Sequence, residues 1–305
     1  MSPNLSIVIC AYNMPRELPR TIRSLSPAMQ RGVQKSDYEI IVMDNGSTSP
    51  VDEDKCRSWG ADLKVSSMAS ASPSPAQAVN LGFARARGEL IGVLIDGARL
   101  ASPGIIRSAT MAARLSARAV ILTLGFHLGP EIQMDSILKS YDQDEEDRLL
   151  TQSGWTEDGY RLFDISVFAA SSTKGWFSPM NESNAIFMRR ELWDELGGFD
   201  ERFQSPGGGF VNLDMLVRAL QLPGIVIITL LGEGTFHQIH GGVATNALRS
   251  MTDVFHAEYR EIRGQTFQTP VYQSLYFGSA SDDVLASIAD AAHTKLRSRL
   301  NTQSV

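Results

Sequence analysis

Aspartates that close apolar runs are the first residues in this chain with chemical potential. "GELIGVLIDGARL" (Gly88–Leu100) ends its apolar run on Asp96, and "YEIIVMDNGST" ends on Asp44. "LSIVICAYN" brings Tyr12 and Asn13 to the end of a third run. A carboxylate in such a place either caps a turn or faces a ligand. Three polar strand ends on one rim favour the ligand, because ligands of parallel sheets sit in the crevice beyond the C-terminal strand ends. Two histidines, His237 and His240, stand three apart in "FHQIHGG", after another apolar run. A structural turn and a functional site are the alternatives for that pair.

The rim requires a parallel sheet, and the first hundred residues carry the pattern of one. "LSIVICAY" (Leu5–Tyr12) is a continuous β-branched run, as in a strand buried on both faces. "RELPRTIRSLSPAM" follows with Leu18, Ile22 and Leu25 at helical spacing. Strand Tyr38–Met43, helix "VDEDKCRSWGA", weak strand "LKVSSM", helix "SPAQAVNLGFARARG" and strand "ELIGVLID" continue the alternation. This rhythm predicts an α/β fold with a mostly parallel, Rossmann-like sheet flanked by helices. Beyond it, "PGIIRSATMAARLSA" reads as a helix and "RAVILTLGFHLG" as a strand. "YDQDEEDRLLTQSGWTEDGY" reads as an exposed acidic helix and loop. A short strand (Ala185–Met188) precedes a helix (Arg190–Leu196) stopped by Gly197-Gly198, and a glycine loop "SPGGGF" leads into a further helix. "SASDDVLASIADAAHTKLRSRL" predicts a terminal helix. The expected division is 1–102, 103–245 and 246–305, the first two forming one domain and the third a helical extension.

Bulk properties exclude several classes. The 305 residues, 43% of them hydrophobic, are enough for a large core, and the net charge of -6 argues against nucleic-acid or anionic-membrane binding. Cys10 and Cys56 lack metal-ligand spacing, so a reduced cytoplasmic protein is expected. The start, "MSPNLSIVICAYN", lacks a signal-peptide pattern, and no run approaches the ~20 apolar residues of a membrane span. A dehydrogenase is disfavoured because no G-x-G-x-x-G follows the first strand.

"SIVICAYNMPRELPRTIRSL", "YEIIVMDNGST", "NLGFARARGELIGVLIDGA" and "LWDELGGFDERF" closely resemble the GT-A glycosyltransferases of family 2. The likeness is strong over Leu5–Ala101 and looser from Asn184 to Gly242, and it leaves out Ile121–Pro179 and the tail. It implies a GT-A fold with a smaller acceptor-side portion, and a nucleotide-sugar-dependent, usually inverting enzyme. It implies that Ala11, Tyr12, Asn13, Asp44 and Asn45 hold the nucleotide's base and ribose. An aspartate can accept the imide N–H of uracil or thymine; an Asx turn in "DNGS" is the other reading of Asp44. Asn80 falls where the family's Arg-Asn-x-Gly helix faces the base, with Val79 in the arginine's place. Asp96-Gly97 matches the start of the DxD motif, whose Mg²⁺ or Mn²⁺ bridges the donor's pyrophosphate. The third position is Ala98, so either another residue completes the metal shell or the cationic Arg99 helps replace the metal. Some GT-A enzymes carry His-x-x-His, which implies His240 as a metal ligand and His237 as an outer or phosphate contact. Imidazole suits Mn²⁺ better than Mg²⁺.

An inverting enzyme also needs a base for the acceptor hydroxyl. The resemblance puts Val211-Asn212 where Glu-Asp is usual, leaving Asp214 as the candidate base and Glu182 and Asp200 as fallbacks. Asp214 in a first helical turn is also explained by the helix dipole. The implied activity is transfer of a sugar from a UDP- or dTDP-type donor to a hydroxyl of a glycan or lipid-linked acceptor, in surface polysaccharide synthesis. Any peripheral membrane association would run through that acceptor, and the oligomeric state is open. A catalytically silent nucleotide- or glycan-binding module is the alternative. A nucleotidyltransferase is disfavoured, because "AYNMPRELPR" has no glycine-rich phosphate loop.

Overall fold

The computed structural model describes residues 3–182, 184–241 and 251–280, with 282, 284–286 and 288–290 beyond them. The alternating patterns of the first hundred residues form β1 (Leu5–Ala11), α1 (Glu17–Ser24), β2 (Tyr38–Asp44), α2 (Glu53–Arg57), β3 (Leu63–Ser67), α3 (Ala76–Arg85) and β4 (Leu90–Leu94). Every residue of β1, β2 and β4 is buried, as their lack of polar alternation demands. β1 lies parallel to both β2 and β4, with Ala11 opposite Asp44. The polar ends of three strands therefore do share one rim.

The second half adds β5 (Arg99–Ala101), α4 (Ile105–Ala112), β6 (Ala119–Leu128), α5 (Gln133–Ile137), α6 (Gln143–Ser153), β7 (Ser166–Phe168), β8 (Ile186–Arg189), α7 (Arg190–Leu196), α8 (Val211–Gln221), β9 (Val226–His237), α9 (Thr252–Arg263) and β10 (Leu275–Gly278). Among the described residues the sheet has ten strands, its main path running β10-β9-β6-β8-β4-β1-β2-β3. β8 is antiparallel to both β4 and β6, and β6 pairs parallel with β9. The register between β6 and β9 slips between Leu122 and Leu124, and β9 carries Gly232 at φ +79, a backbone state that favours glycine. Past this kink β9 pairs with β5 and delivers His237 opposite Arg99.

Two apolar layers cover the sheet. One packs Leu18, Ile22, Cys56, Ile105 and Ala109 onto Leu5, Ile7 and Ile9. The other packs Val79, Trp193, Phe199 and Met215 onto Val8, Cys10 and Ile41. Trp176 and Trp193 are core side chains.

The acidic segment is an exposed helix over much of its surface, as expected, but one face turns inward. On α6, Glu146 and Leu150 are buried, and Glu146 Oε2 accepts from the Ile239 amide at 2.9 Å. Arg16, at the start of α1, bonds Glu146, Asp147, the Gln143 carbonyl and the Ile239 carbonyl. The helix is held inward by buried polar bonds that its composition does not reveal. β5, β7, β10 and α9 also go beyond the predicted elements; three of them are short, paired edges without a period of their own. The terminal helix shows as helical backbone at 282, 284–286 and 288–290, while its remainder and the 245/246 boundary lie outside the described residues. No described helix is long and apolar enough to cross a membrane.

Candidate functional site

Asp96 follows β4 in a tight turn that explains Gly-Ala after it. Asp96 Oδ1 accepts from the Ala98 amide at 2.8 Å, so one carboxylate oxygen fixes the turn. The Gly97 carbonyl accepts from Thr21 Oγ1 at 2.7 Å, and the Ala98 carbonyl accepts from the Gln238 amide at 2.9 Å. A Cβ on Gly97 would meet Ala11 at 3.1 Å, and Ala98 is wholly buried. An acid at position 98 would enter the protein rather than the crevice.

Asp96 Oδ2 faces the histidines instead. His237 Nε2 lies 2.9 Å from it, His240 Nε2 lies 3.2 Å from it, and the two Nε2 atoms are 3.2 Å apart. These three residues form a group able to hold a metal ion. Gln133, at the start of α5, sets the His237 ring. Its Nε2 donates to the His237 carbonyl at 2.9 Å, so its Oε1 accepts from His237 Nδ1–H at 2.6 Å. Nε2 is then the unprotonated nitrogen of the neutral ring. Burial and the nearby Arg99 charge push His237 down to about 4, against the pull of Asp96. Burial also works against charge on His240, but Asp96 outweighs it and raises that pKa. Burial would raise Asp96, yet the two histidines hold its carboxyl well below the usual range. A neutral Nε2 lone pair 2.9 Å from a carboxylate oxygen calls for a shared cation, so the trio fits a divalent metal. Both rings present Nε2 to Asp96.

Arg99 is the cation beside this trio. It is 7% exposed, and its Nε and Nη1 have no hydrogen-bond partner. Leaving a buried donor unsatisfied costs about 1–3 kcal/mol each. The charges of Asp96 and Glu182 reach it without touching it. A guanidinium so placed is suited to an anionic ligand.

The residues expected at the base and ribose are largely engaged with one another. Asp44 Oδ1 accepts from the Ser47 amide at 2.9 Å, so the Asx turn is formed; Oδ2 has only Ser67 Oγ at 3.3 Å. Asn13, at φ +52, accepts from Thr48 at its side-chain oxygen. The Ala11 carbonyl accepts from the Asn45 amide, and the Asn45 side chain latches Ser72 through both ends of its amide. Tyr12 is 43% exposed at the same rim.

Two expectations are corrected. Asn80 donates to the Phe199 carbonyl and to Glu201, and its Oδ1 accepts from the Phe199 amide. It fastens the Gly197-Gly198 turn, and both of its N–H groups are taken up there. Asp214 is wholly buried between Arg218 (2.9 Å) and Arg263 (2.5 Å), both oxygens in ion pairs. A carboxylate held this way is a structural counter-charge, not a base open to an acceptor. Asp200 likewise pairs with Arg202 and Arg263. Gln133 and Glu146 were missed, since no motif marks the segment they occupy.

Residues 6–96 match the family model described as Glycosyl transferase family 2. This segment belongs to that family. The whole described architecture is a GT-A fold. S. aureus TarS, residues 1–349, superposes with a TM-score of 0.55 at 15% identity, over 86% of this chain and 64% of that one. The same fragment in complex with UDP-GlcNAc superposes with a TM-score of 0.55 at 17% identity, over 86% and 65%. The chain thus spans a little under two thirds of the TarS fragment's length. No curated protein matches it in sequence. The family 2 segment ends at Asp96, so the histidines, Arg99 and Gln133 all lie outside it.

Proposed function

We propose that this chain is an inverting glycosyltransferase. It moves a sugar from a UDP- or dTDP-type donor to a hydroxyl of a glycan or lipid-linked acceptor in surface polysaccharide synthesis. The observation that carries the reading is the convergence of Asp96, His237 and His240 beside the unpartnered Arg99, at the C-terminal rim of a parallel sheet. Family membership of residues 6–96 supports it, as does the likeness to a fold whose TarS example is seen with UDP-GlcNAc.

Asp96, His237 and His240 would hold Mn²⁺ or Mg²⁺, with the imidazoles favouring Mn²⁺. Such an ion, when bound, supplies Lewis-acid stabilisation of the diphosphate leaving group. Arg99 adds charge on that same group by a bidentate grip. Gln133 keeps Nε2 of His237 directed at the site. Tyr12 lies open for stacking on the base, and Asp44 Oδ2 retains room to accept from it. Ala11, Asn13 and Asn45 act mainly by holding the two strand ends together, and Gly97 by letting Asp96 approach β1.

Calorimetry against UDP, dTDP and GDP, each with Mn²⁺ and with EDTA, tests this. One nucleotide binding only with metal is the expected result, and Asp96→Ala should abolish it. Equal binding in EDTA would transfer the diphosphate to Arg99 alone. Failure of all three to bind would favour the silent glycan-binding module. The burial of Asp214 is the observation that keeps this second reading open, because it removes the expected base.

A further inference from the structure

If the transferase reading holds, one task has no residue yet: removing the proton of the acceptor hydroxyl. A carboxylate within reach of Arg99 is suited to it. β8 runs antiparallel to β4 with Ile186 opposite Val93, and Glu182 lies four residues before Ile186 in the chain. Its charge reaches Arg99, the β5 residue that pairs with His237. Glu182 is half-buried, so one side meets solvent. Its Oε2 accepts from Asn212 Nδ2 at 2.9 Å, and its Oε1 has no hydrogen-bond partner among the described residues. Asn212 lies in the first turn of α8 and is 8% exposed, so the donor is itself held in place.

The partners are informative. A carboxylate kept only for structure would close onto the nearest buried cation. Arg99 is within electrostatic reach of Glu182, yet its Nε and Nη1 remain unpartnered. Glu182 is aimed by a neutral amide, which orients the carboxylate without neutralising it. By contrast, Asp214 and Asp200 are each gripped by two arginines.

We propose that Glu182 is the base that accepts the proton of the acceptor hydroxyl, and that Asn212 is the positioning residue that aims it. Glu182 takes the proton as the acceptor oxygen forms its bond to the sugar's anomeric carbon. The bond from that carbon to the diphosphate breaks, and its electron pair leaves with the diphosphate beside Arg99. The products are a glycoside, a nucleoside diphosphate and a protonated Glu182. This rests on the transferase reading, and the experiment separates the two.

Breakdown of UDP-GlcNAc, UDP-glucose, dTDP-glucose and GDP-mannose is measured with water and with azide as nucleophile, alongside UDP, dTDP and GDP binding. Glu182→Gln should lower hydrolysis about 100-fold or more, with nucleotide affinity and melting temperature little changed. Azide has no proton to lose, so it should restore sugar release in Glu182→Ala. Asn212→Ala should lower kcat roughly tenfold with donor KM retained, as expected for a group that acts in the transition state alone. Hydrolysis by Glu182→Gln at the wild-type rate, or loss without azide rescue, overturns the proposal while leaving the transferase reading intact. Wild-type protein that binds nucleotide but breaks down no donor with either nucleophile overturns any base here. No nucleotide binding at all overturns the transferase reading and this proposal with it.

Discussion

At the residue scale, Asp96 divides its work between two oxygens. Oδ1 shapes the turn through the Ala98 amide, and Oδ2 is offered to two imidazoles. The second acid of a DxD pattern has no place here, because position 98 is buried. Ala98→Asp should therefore destabilise the protein by on the order of 3 kcal/mol, the cost of burying a poorly paired charge. Thermal melts would detect this, and an unchanged melting temperature would mean that the turn can open. Gln133 is one bond removed from the trio, and residues so placed typically tune metal affinity by ten- to a hundredfold. Gln133→Ala should weaken Mn²⁺ binding by about that factor while circular dichroism stays unchanged. Equal Mn²⁺ affinity would show that His237 keeps its ring orientation without the amide.

At the element scale, the C-terminal part of the chain works as a clamp. Arg263 on α9 bonds Asp214 on α8 and Asp200 in the turn after α7, while Arg218 adds the carbonyls of Leu196 and Gly198. Glu258 of α9 accepts from the Gln204 and Ser205 amides ahead of the glycine loop. Removing Arg263 leaves a buried carboxylate with one cation, a loss of about 2–4 kcal/mol. Urea unfolding of Arg263→Ala should show that loss, with nucleotide binding retained. Asp214→Asn belongs to the same test. If Asp214 is a counter-charge, stability falls; lost turnover at full stability would return it to the chemistry. A second clamp, α6 with Arg16 against Ile239, holds the histidine turn.

At the scale of the whole molecule, buried carboxylates set the response to pH. Burial pushes Glu233 up to about 7, although Ser102, Tyr160 and the Gly104 amide donate to it. Burial also raises Glu146 to about 7, against the Ile239 amide and Arg16. A group raised in the folded state contributes fully below its unfolded value and loses that contribution as pH climbs through the folded one. Both should cost stability between about pH 4.5 and 7. Asp200 is shifted the other way: its bonds to Arg202, then Arg263, outweigh burial. Its contribution is present above the ordinary carboxylate range and lost as pH falls below it. Melting temperature should therefore peak at mildly acidic pH, about 5, and decline toward pH 8. Glu233→Gln should flatten that decline. An unaltered slope in the variant would assign the titration to Glu146.

The sequence by itself determined the rim. Continuous β-branched runs force β1, β2 and β4 into a sheet buried on both faces, and parallel pairing must bring Asn13, Asp44 and Asp96 to one end. The separation of three in "HQIH" likewise announces a pair of histidines on one turn. Which oxygen, which nitrogen and which carboxylate do the chemistry was not legible there. Asp214 and Glu182 are both acids near glycine- or asparagine-rich loops, and nothing local distinguishes them. Arg263 and Asn212, 49 and 30 residues from their partners, make one a counter-charge and leave the other open. Asn80 matched a base-facing position, yet Phe199 lies 119 residues away and takes its amide. Gln133 stands 104 residues from His237 in a segment without period or motif. Period and strand-end polarity are local properties and survive in the sequence. Pairing of buried polar groups depends on which distant residue the sheet order brings within 3 Å, and only the tertiary structure decides that.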